Sequence, residues 1–525
     1  MTEQISVTSL RDKLDAALAN TAELAVLDVR EAGQYASGHL FFATHVPYSR
    51  LEAEVCDFVP HLDTSIVIYD AGDGVSEKAA AALSVEGYTD VAVMEGGAPA
   101  WAAAGHTLYE GVNLPSKTFG ELVEHELDTP RLSADDLAGM QEKGGDFIIL
   151  DGRTPEEYHR FSIPGGISCP NAELPLRFND LVTNAETTVV INCAGRTRSI
   201  IGAQTLINFG IANKVIALEN GTQGWALADR ELEYGAKRFP PSGVMAPAME
   251  QAWVRAKSVA DRYDLSFVDH DTLAEWQGDV TRTLYLLDVR SRDEYVGGHL
   301  PGSRHAPGGQ LVQATDRWVG VRGARIVVCD DTEVRAVCTA HWLKQMGWDV
   351  HVLAGGIGSD GLARNGTRAP APKLPIIEVC ELMTMTGEGK VCILDLRPSA
   401  DFEARHIPGA TWVVRPNLQE ASIVAGVPIV MVADDQGGAG LLARDLFRMG
   451  HDDIHFLAGG MSAWEDAGGA VADAAATSTR IDFIAFTAER HGGNKDHMRQ
   501  YLEWEINLVN QLDEQERGVF TVLAP

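Results

Sequence analysis

The chain of 525 residues is poor in cysteine, in basic residues and in long apolar runs. Its seven cysteines, Cys56, Cys169, Cys193, Cys329, Cys338, Cys380 and Cys392, never fall in a C-x-x-C spacing. That pattern argues against a structural zinc site and a disulfide scaffold, and fits a reduced, cytoplasmic protein. Lys and Arg number 43 against 74 Asp and Glu, a formal charge of −31. Such a surface repels phosphate backbones, so nucleic acid is not an expected partner. No apolar run approaches the ~20 residues of a membrane span. The start, MTEQISVTSLRDKLDAALAN, has no basic segment followed by an apolar core. Neither a membrane partner nor a secretory signal is therefore expected. Hydrophobic residues at 45% and charged residues at 22% fit a globular chain of three or four domains.

What the chain has is repetition. One phrase recurs four times: LDVREAGQYASGHL from Leu27, LDGRTPEEYHRFSIPG from Leu150, LDVRSRDEYVGGHLPG from Leu287 and LDLRPSADFEARHIPG from Leu394. The spacing is that of domains, far too long for a solenoid repeat. Each copy continues with a short β-rich run, SIVIYD, TVVINC, RIVVCD or PIVMVAD, and then a helix-like stretch. A further short strand and a glycine turn close it: VAVMEGGAPAW, VIALENGTQGW, VHVLAGGIGSD and IHFLAGGMSAW. Short apolar strands alternating with helices predict βαβ units, a parallel sheet and helices on both faces. The expected domains are 1–112, 117–236, 262–368 and 372–470, followed by a tail over 471–525. Met498, Leu502, Ile506, Leu508 and Leu512 give the tail a helix-spaced apolar stripe, expected to serve docking or homodimerisation.

The copies diverge where the second β-rich run ends. There the second copy has Cys193-Ala194-Gly195-Arg196-Thr197-Arg198, with Ser199 opening a helix, while Asp70, Asp330 and Asp434 stand at the matching positions. A cysteine between a strand end and a helix N-terminus sits where α/β sheets collect functional groups. Loop amides there converge on a small anion, and the helix start with two arginines favours thiolate. Gly195 lets the loop curl closely round the sulfur. Cys329 falls one residue earlier, so its side chain turns to the other face, as an inert core residue.

The LDxR phrase, the G-H-[LI]-P-G phrase, the cysteine loop and the closing G-G-x-x-x-W phrase resemble the rhodanese, or sulfurtransferase, family, in four tandem domains over 1–470. The resemblance implies a five-stranded parallel sheet flanked by helices in each domain. It also implies a cysteine that takes the outer sulfur of thiosulfate or a persulfide donor and passes it to a thiol or cyanide acceptor. By motif position the catalytic residue would be Cys193. Ala194, Gly195, Arg196, Thr197 and Arg198 would bind the anionic donor, with no metal and no cofactor. The first, third and fourth domains would be inactive. Since an inactive domain precedes an active one in two-domain rhodaneses, the first two copies would form the catalytic pair and the last two an appended pair. The alternative is a carrier or scaffold that holds a persulfide for a partner protein without turnover.

Two related chemistries are set apart by the loop. Cys193 to Arg198 is C-x4-R, one residue shorter than the C-x5-R loops of phosphatases and arsenate reductases, which favours sulfur transfer. The loop also lacks the C-G-[ST]-G pattern of mercaptopyruvate-using members. Ser162 replaces His39, His299 and His406 of the other copies, so that position is not needed for cysteine chemistry. Asp360 replaces Trp101, Trp225 and Trp464, which read as core. The run Gly356 to Gly361 matches G-x-G-x-x-G but lacks the long helix a dinucleotide site needs, so it reads as the shared glycine turn. The Asp-Arg pairs of the LDxR phrases occur with and without cysteine and read as structural. His491 and His497 show no metal-ligand pattern.

Overall fold

The computed structural model describes residues 2–241, 243–358, 373–421, 423–424, 426–473, 480–484, 490 and 492–525. Asp360, His491, the 359–361 end of the glycine turn and most of the joint before the fourth copy lie outside the described residues. Four parallel sheets share one strand order. In each, the copy's first strand lies at an edge, followed by the fifth, fourth, second and third. In the second copy these strands are Arg131–Leu132, Val215–Leu218, Thr188–Asn192, Phe147–Asp151 and Ile167–Ser168. Successive residues of the central strand face opposite layers. Val189 and Ile191 join Leu174, Phe178 and Leu206 on one face, while Val190 joins Leu137, Ile216 and Trp225 on the other. Both faces are covered, which is why the strand reads as a continuous apolar run. Among the described residues no helix is long and apolar enough to cross a membrane.

The LDxR phrase makes a buried clamp in every copy. Asp28 pairs with Arg30, Asp151 with Arg153, Asp288 with Arg290 and Asp395 with Arg397. The same arginines donate to the carbonyls of Gly38, Phe161, Gly298 and Arg405, at 2.6 to 2.7 Å. The clamp ties the end of the second strand to the far end of the next short helix, with and without a cysteine nearby. The closing tryptophans are core, as expected: Trp101, Trp225 and Trp464 are buried, and each indole donates to a carbonyl six residues on. His39, His299 and His406 bond the carbonyls of Tyr35, Tyr295 and Phe402.

The pairing of copies differs from the sequence-based expectation. The chain divides into two compact units, residues 1–10, 26–111 and 367–485, and residues 11–25, 112–366 and 486–525. The fourth copy therefore shares a unit with the first, and the third with the second. Buried charge explains both partnerships. In one unit Arg415, with its side chain 1% exposed, pairs with Glu52 and Asp445 and lies over the Tyr48 ring. In the other unit Arg335 pairs with Glu173, and the Trp342 indole donates to Thr205.

Between the first copy and the first strand of the second the chain is helical. Leu114–Leu127 is a helix with an almost wholly buried surface. Gly120 allows this, since a Cβ there would stand 2.7 Å from the Thr197 methyl. The tail forms a helix, Lys495–Asn507, that packs on Leu114–Leu127 and on Gly221–Leu227. Met498, Tyr501, Leu502, Glu505 and Leu508 are buried, while Ile506 of the expected stripe is exposed. The tail thus docks within its own unit.

Removing one side of a buried pair leaves an uncompensated charge and costs about 3–5 kcal/mol. Asp151 and Arg153 are each 1% exposed. Arg153→Ala should therefore destabilise the second domain by that amount, read as faster amide exchange in Phe147–Asp151. A loss typical of a surface pair, ~0–1 kcal/mol, would show that the clamp carries little stability.

Candidate active site

Asn192, the last residue of the fourth strand, stands opposite Asp151 of the second, and its side chain donates to the Asp151 carboxylate at 2.9 Å. The Gly152 amide then caps the Asn192 carbonyl at 2.8 Å. Cys193 is the next residue, and helix Thr197–Asn208 follows at once. The cysteine thus lies at the carboxyl end of the sheet where strand order reverses, the crevice in which open α/β folds bind ligands. The same capping bond aligns the other copies. It ends on Tyr69, Cys329 and Val432, so the positions equivalent to Cys193 are Asp70, Asp330 and Ala433. In the fourth copy the expected Asp434 is one residue too far along. The strand there ends at Val432, so Ala433 takes the first place after it.

The glycine turn closes over this loop. Gly221 has φ +53°, and a Cβ on it would stand 2.3 Å from the Cys193 carbonyl. The Thr222 amide donates to that carbonyl at 2.8 Å, and the Gln223 side chain donates to Ala194 O at 3.0 Å. Gly97, Gly356 and Gly460 abut the carbonyls of Asp70, Asp330 and Ala433 in the same way. Gly356, the start of that run, thus lies in the shared turn.

Cys193 is 2% exposed. Burial pushes its thiol above the ordinary thiol range. The Arg198 charge, the Ser199 hydroxyl and the Gly195 amide pull the other way, and the Glu505 carboxylate adds to the rise. The sequence-based expectation of a ready thiolate is therefore reversed in the closed site, because desolvation outweighs the cationic surroundings. The arginines are also engaged. Arg196 forks onto Glu121 at 2.8 Å with both nitrogens and reaches Glu124 as well. Arg198 forks onto Glu157 at 2.6 and 2.8 Å. Glu157 is the capping-box residue of helix Pro155–Arg160, and Glu294 holds Arg335 similarly in the third copy, where Asp330 stands at the cysteine position. The guanidiniums thus fasten the loop, and the Arg198 charge also favours the thiolate. Thr197 donates to Glu505 at 2.6 Å.

The first copy shows what the loop itself holds. Asp70 accepts the Gly72 amide at 2.8 Å and both the amide and the hydroxyl of Ser76 at 2.9 Å. Burial would raise this carboxyl, yet the amides of Ser76 and Gly72 outweigh it and hold it below its ordinary value. The loop is therefore an anion cradle, filled in that copy by its own side chain. Gly195 and Ser199 occupy the corresponding places around Cys193, and Ser199 Oγ has no other hydrogen-bond partner among the described residues.

A family model for the rhodanese-like domain matches residues 10–104, 133–228, 269–359 and 378–467. The chain belongs to the rhodanese family. It is similar to the crystal structure of a thiosulfate sulfurtransferase from Pseudomonas aeruginosa, at 42% identity and a TM-score of 0.90, covering 99% of each chain. It is also 33% identical over 93 residues to the thiosulfate sulfurtransferase GlpE of Shewanella oneidensis, which is 17% of this chain and 92% of that protein. The chain is thus a rhodanese-type enzyme with four family domains.

Sequence reasoning missed several neighbours of this rhodanese loop. Ser199 was legible only as a helix start. Lys117, Glu121 and Glu124 lie ahead of the first strand of the second copy, and Tyr501 and Glu505 lie in the tail. Their charges and rings in amphipathic runs were the available signal, and nothing local named their target. Burial pushes Glu121 up to about 7 against the pull of Arg196, and pushes Lys117 down to about 8. Lys117 rests on the rings of Tyr501 and Trp504. Among the described residues no cluster of His, Cys, Asp and Glu is arranged to hold a metal.

Because burial raises the Cys193 thiol, its alkylation by iodoacetamide should be slow at neutral pH and climb beyond the ordinary thiol range. Arg198→Met removes a charge that favours thiolate and should move the profile higher. Mass spectrometry of the Cys193 peptide separates it from the exposed Cys56 and Cys380. A midpoint below the ordinary thiol value would contradict the dominance of burial.

Proposed function

We propose that this rhodanese carries a sulfane sulfur from thiosulfate or a persulfide donor to a thiophilic acceptor as a persulfide on Cys193. The observation that carries this reading is the Asp70 carboxylate held by the loop amides of the first copy. In the second copy the same cradle surrounds a sulfur, so an anionic persulfide would be stabilised where that carboxylate sits. Cys193 first loses its thiol proton to solvent, helped by the Arg198 charge, and the thiolate attacks the outer sulfur of thiosulfate. A new S–S bond forms, the old one breaks, and sulfite leaves with the electron pair. The acceptor then attacks the outer sulfur and Cys193 is released as thiolate. The amides of Ala194, Gly195, Arg196, Thr197 and Arg198 bind the donor anion. Arg198 adds charge, while Arg196 and Thr197 hold the loop through Glu121, Glu124 and Glu505.

After incubation with thiosulfate, the protein should gain the mass of one sulfur atom, and Cys193→Ser should abolish both that gain and thiocyanate formation with cyanide. An adduct that survives on another cysteine would refute single-site chemistry. Loading without steady-state turnover would favour the carrier reading.

Cysteine alone should not revive the other copies. In a Cys193→Ser background, Asp70→Cys leaves Asp73 beside the loop and Val75 at the arginine position, and Asp330→Cys leaves Asp331 and Glu333. A nearby carboxylate raises a thiol by about one pKa unit or more and repels a dianion. Thiocyanate formation should stay below about a tenth of wild type. Robust activity from either change would show that loop charge does not decide which copy works.

A further inference from the structure

The C-terminal helix delivers Glu505 to the Cys193 loop across 308 residues of sequence. Glu505 is 1% exposed. Its Oε1 accepts the Thr197 hydroxyl, and its Oε2 has no hydrogen-bond partner among the described residues. Oε2 lies 3.4 Å from the point where a side chain on Gly195 would begin, so it faces the loop two residues from the sulfur-bearing one. A buried carboxylate oxygen without a donor is costly, and such oxygens persist where a ligand or a proton supplies the missing partner.

The groups around it are charged but otherwise committed. From the loop these are Cys193, Arg196 and Arg198, the last two bound to Glu121, Glu124 and Glu157. From helix Leu114–Leu127 they are Lys117, Glu121 and Glu124, with Lys117 seated on aromatic rings. From its own segment they are Tyr501 and Arg490, stacked on each other. Among the described residues no Lys or Arg forms an ion pair with Glu505.

Beyond Ala194 and Gln223 opens a hollow of about 800 Å³, far larger than thiosulfate or cyanide requires. Its wall carries Arg160, Arg230, Arg490 and Lys495 beside Phe161 and Tyr234, against the acids Asp229 and Glu231. Lys495 pairs with Asp229 and Arg230 with Asp135, Arg490 lies on the Tyr501 ring, and Arg160 lies over the Phe161 ring at the mouth of the hollow, in a chain of formal charge −31. The two features answer one chemical need. Cyanide attacks a persulfide without losing a proton, whereas a thiol must shed one first.

We infer that the C-terminal helix builds an acceptor subsite on Cys193, where Glu505 Oε2 takes the proton of a small thiol whose carboxylates lie along the Arg160–Arg490 hollow. This rests on the Cys193 persulfide proposed above. The thiol proton passes to Glu505, and the thiol sulfur bonds to the outer persulfide sulfur. The bond to Cys193 breaks, its electron pair stays on Cys193 as thiolate, and the acceptor leaves as a persulfide. No further oxidant or reductant enters.

The test uses the full-length protein, loaded with thiosulfate and weighed before any acceptor is added, so failure to load would count against the persulfide itself. Transfer to glutathione and to cyanide is then timed. Glu505→Gln should lower the glutathione-to-cyanide rate ratio at least about tenfold. Its glutathione rate should follow the thiolate fraction of glutathione with pH, while the wild-type rate is flatter. Glu505→Asp, which keeps the carboxylate, should recover most of the ratio. Arg160→Ala should raise KM for glutathione but not for 2-mercaptoethanol, which has no carboxylate. An unchanged ratio in Glu505→Gln, or equal losses with both acceptors, would overturn the inference. So would an Arg160→Ala effect common to both thiols, which also decides the matter if Glu505→Gln does not fold.

Discussion

The structure depends on one buried contact, the Asp–Arg clamp at the end of the second strand of each domain. Asp151 receives Arg153 and also the side chain of Asn192, so the ends of two adjacent strands are locked together. The residue after Asn192 then has little freedom, and the loop that follows starts from a fixed point. Because both charges are buried, neither can leave without stranding the other. This explains why the phrase recurs in copies whose loop has no cysteine at the position of Cys193. It serves the geometry of the crevice, whatever occupies it.

The four copies use that crevice differently. In the first, Asp70 fills the cradle with its own carboxylate. In the third, Asp330 and Asp331 pair with Arg335, which also reaches Glu173 and Glu294. In the fourth, Ala433 offers no chemistry, and Asp435 caps the following helix by accepting from Gly437 and Gly438. In the second, a sulfur takes the place of the carboxylate. One scaffold thus yields an internal anion, an ion-pair network, a blank and a thiol, according to the side chain at a single position.

Around the cysteine, elements distant in sequence do most of the work. Helix Leu114–Leu127 supplies Glu121 and Glu124, which take up Arg196. The C-terminal helix supplies Tyr501 and Glu505, which press on Gly195 and bind Thr197. Their joint effect is desolvation. Cys193 is sheltered enough that burial, rather than the neighbouring arginine, sets the direction of its titration.

The sequence by itself determined the repeat, the α/β class, the strands, the LDxR clamps, the glycine turns and the position of the cysteine loop. These are local or periodic features: alternation of strand and helix, and short phrases whose residues act within about ten positions of one another. Only the tertiary structure decided which copies pair, since Arg415 with Glu52 and Arg335 with Glu173 match charges across long stretches of chain. It also decided that Ala433, not Asp434, stands at the cysteine position, because strand register is set by hydrogen bonds to a neighbour. The partners of Arg196 and Arg198 and the tail's place on the loop were illegible for the same reason. A charged side chain takes the nearest opposite charge in space, and a linear sequence does not carry that distance.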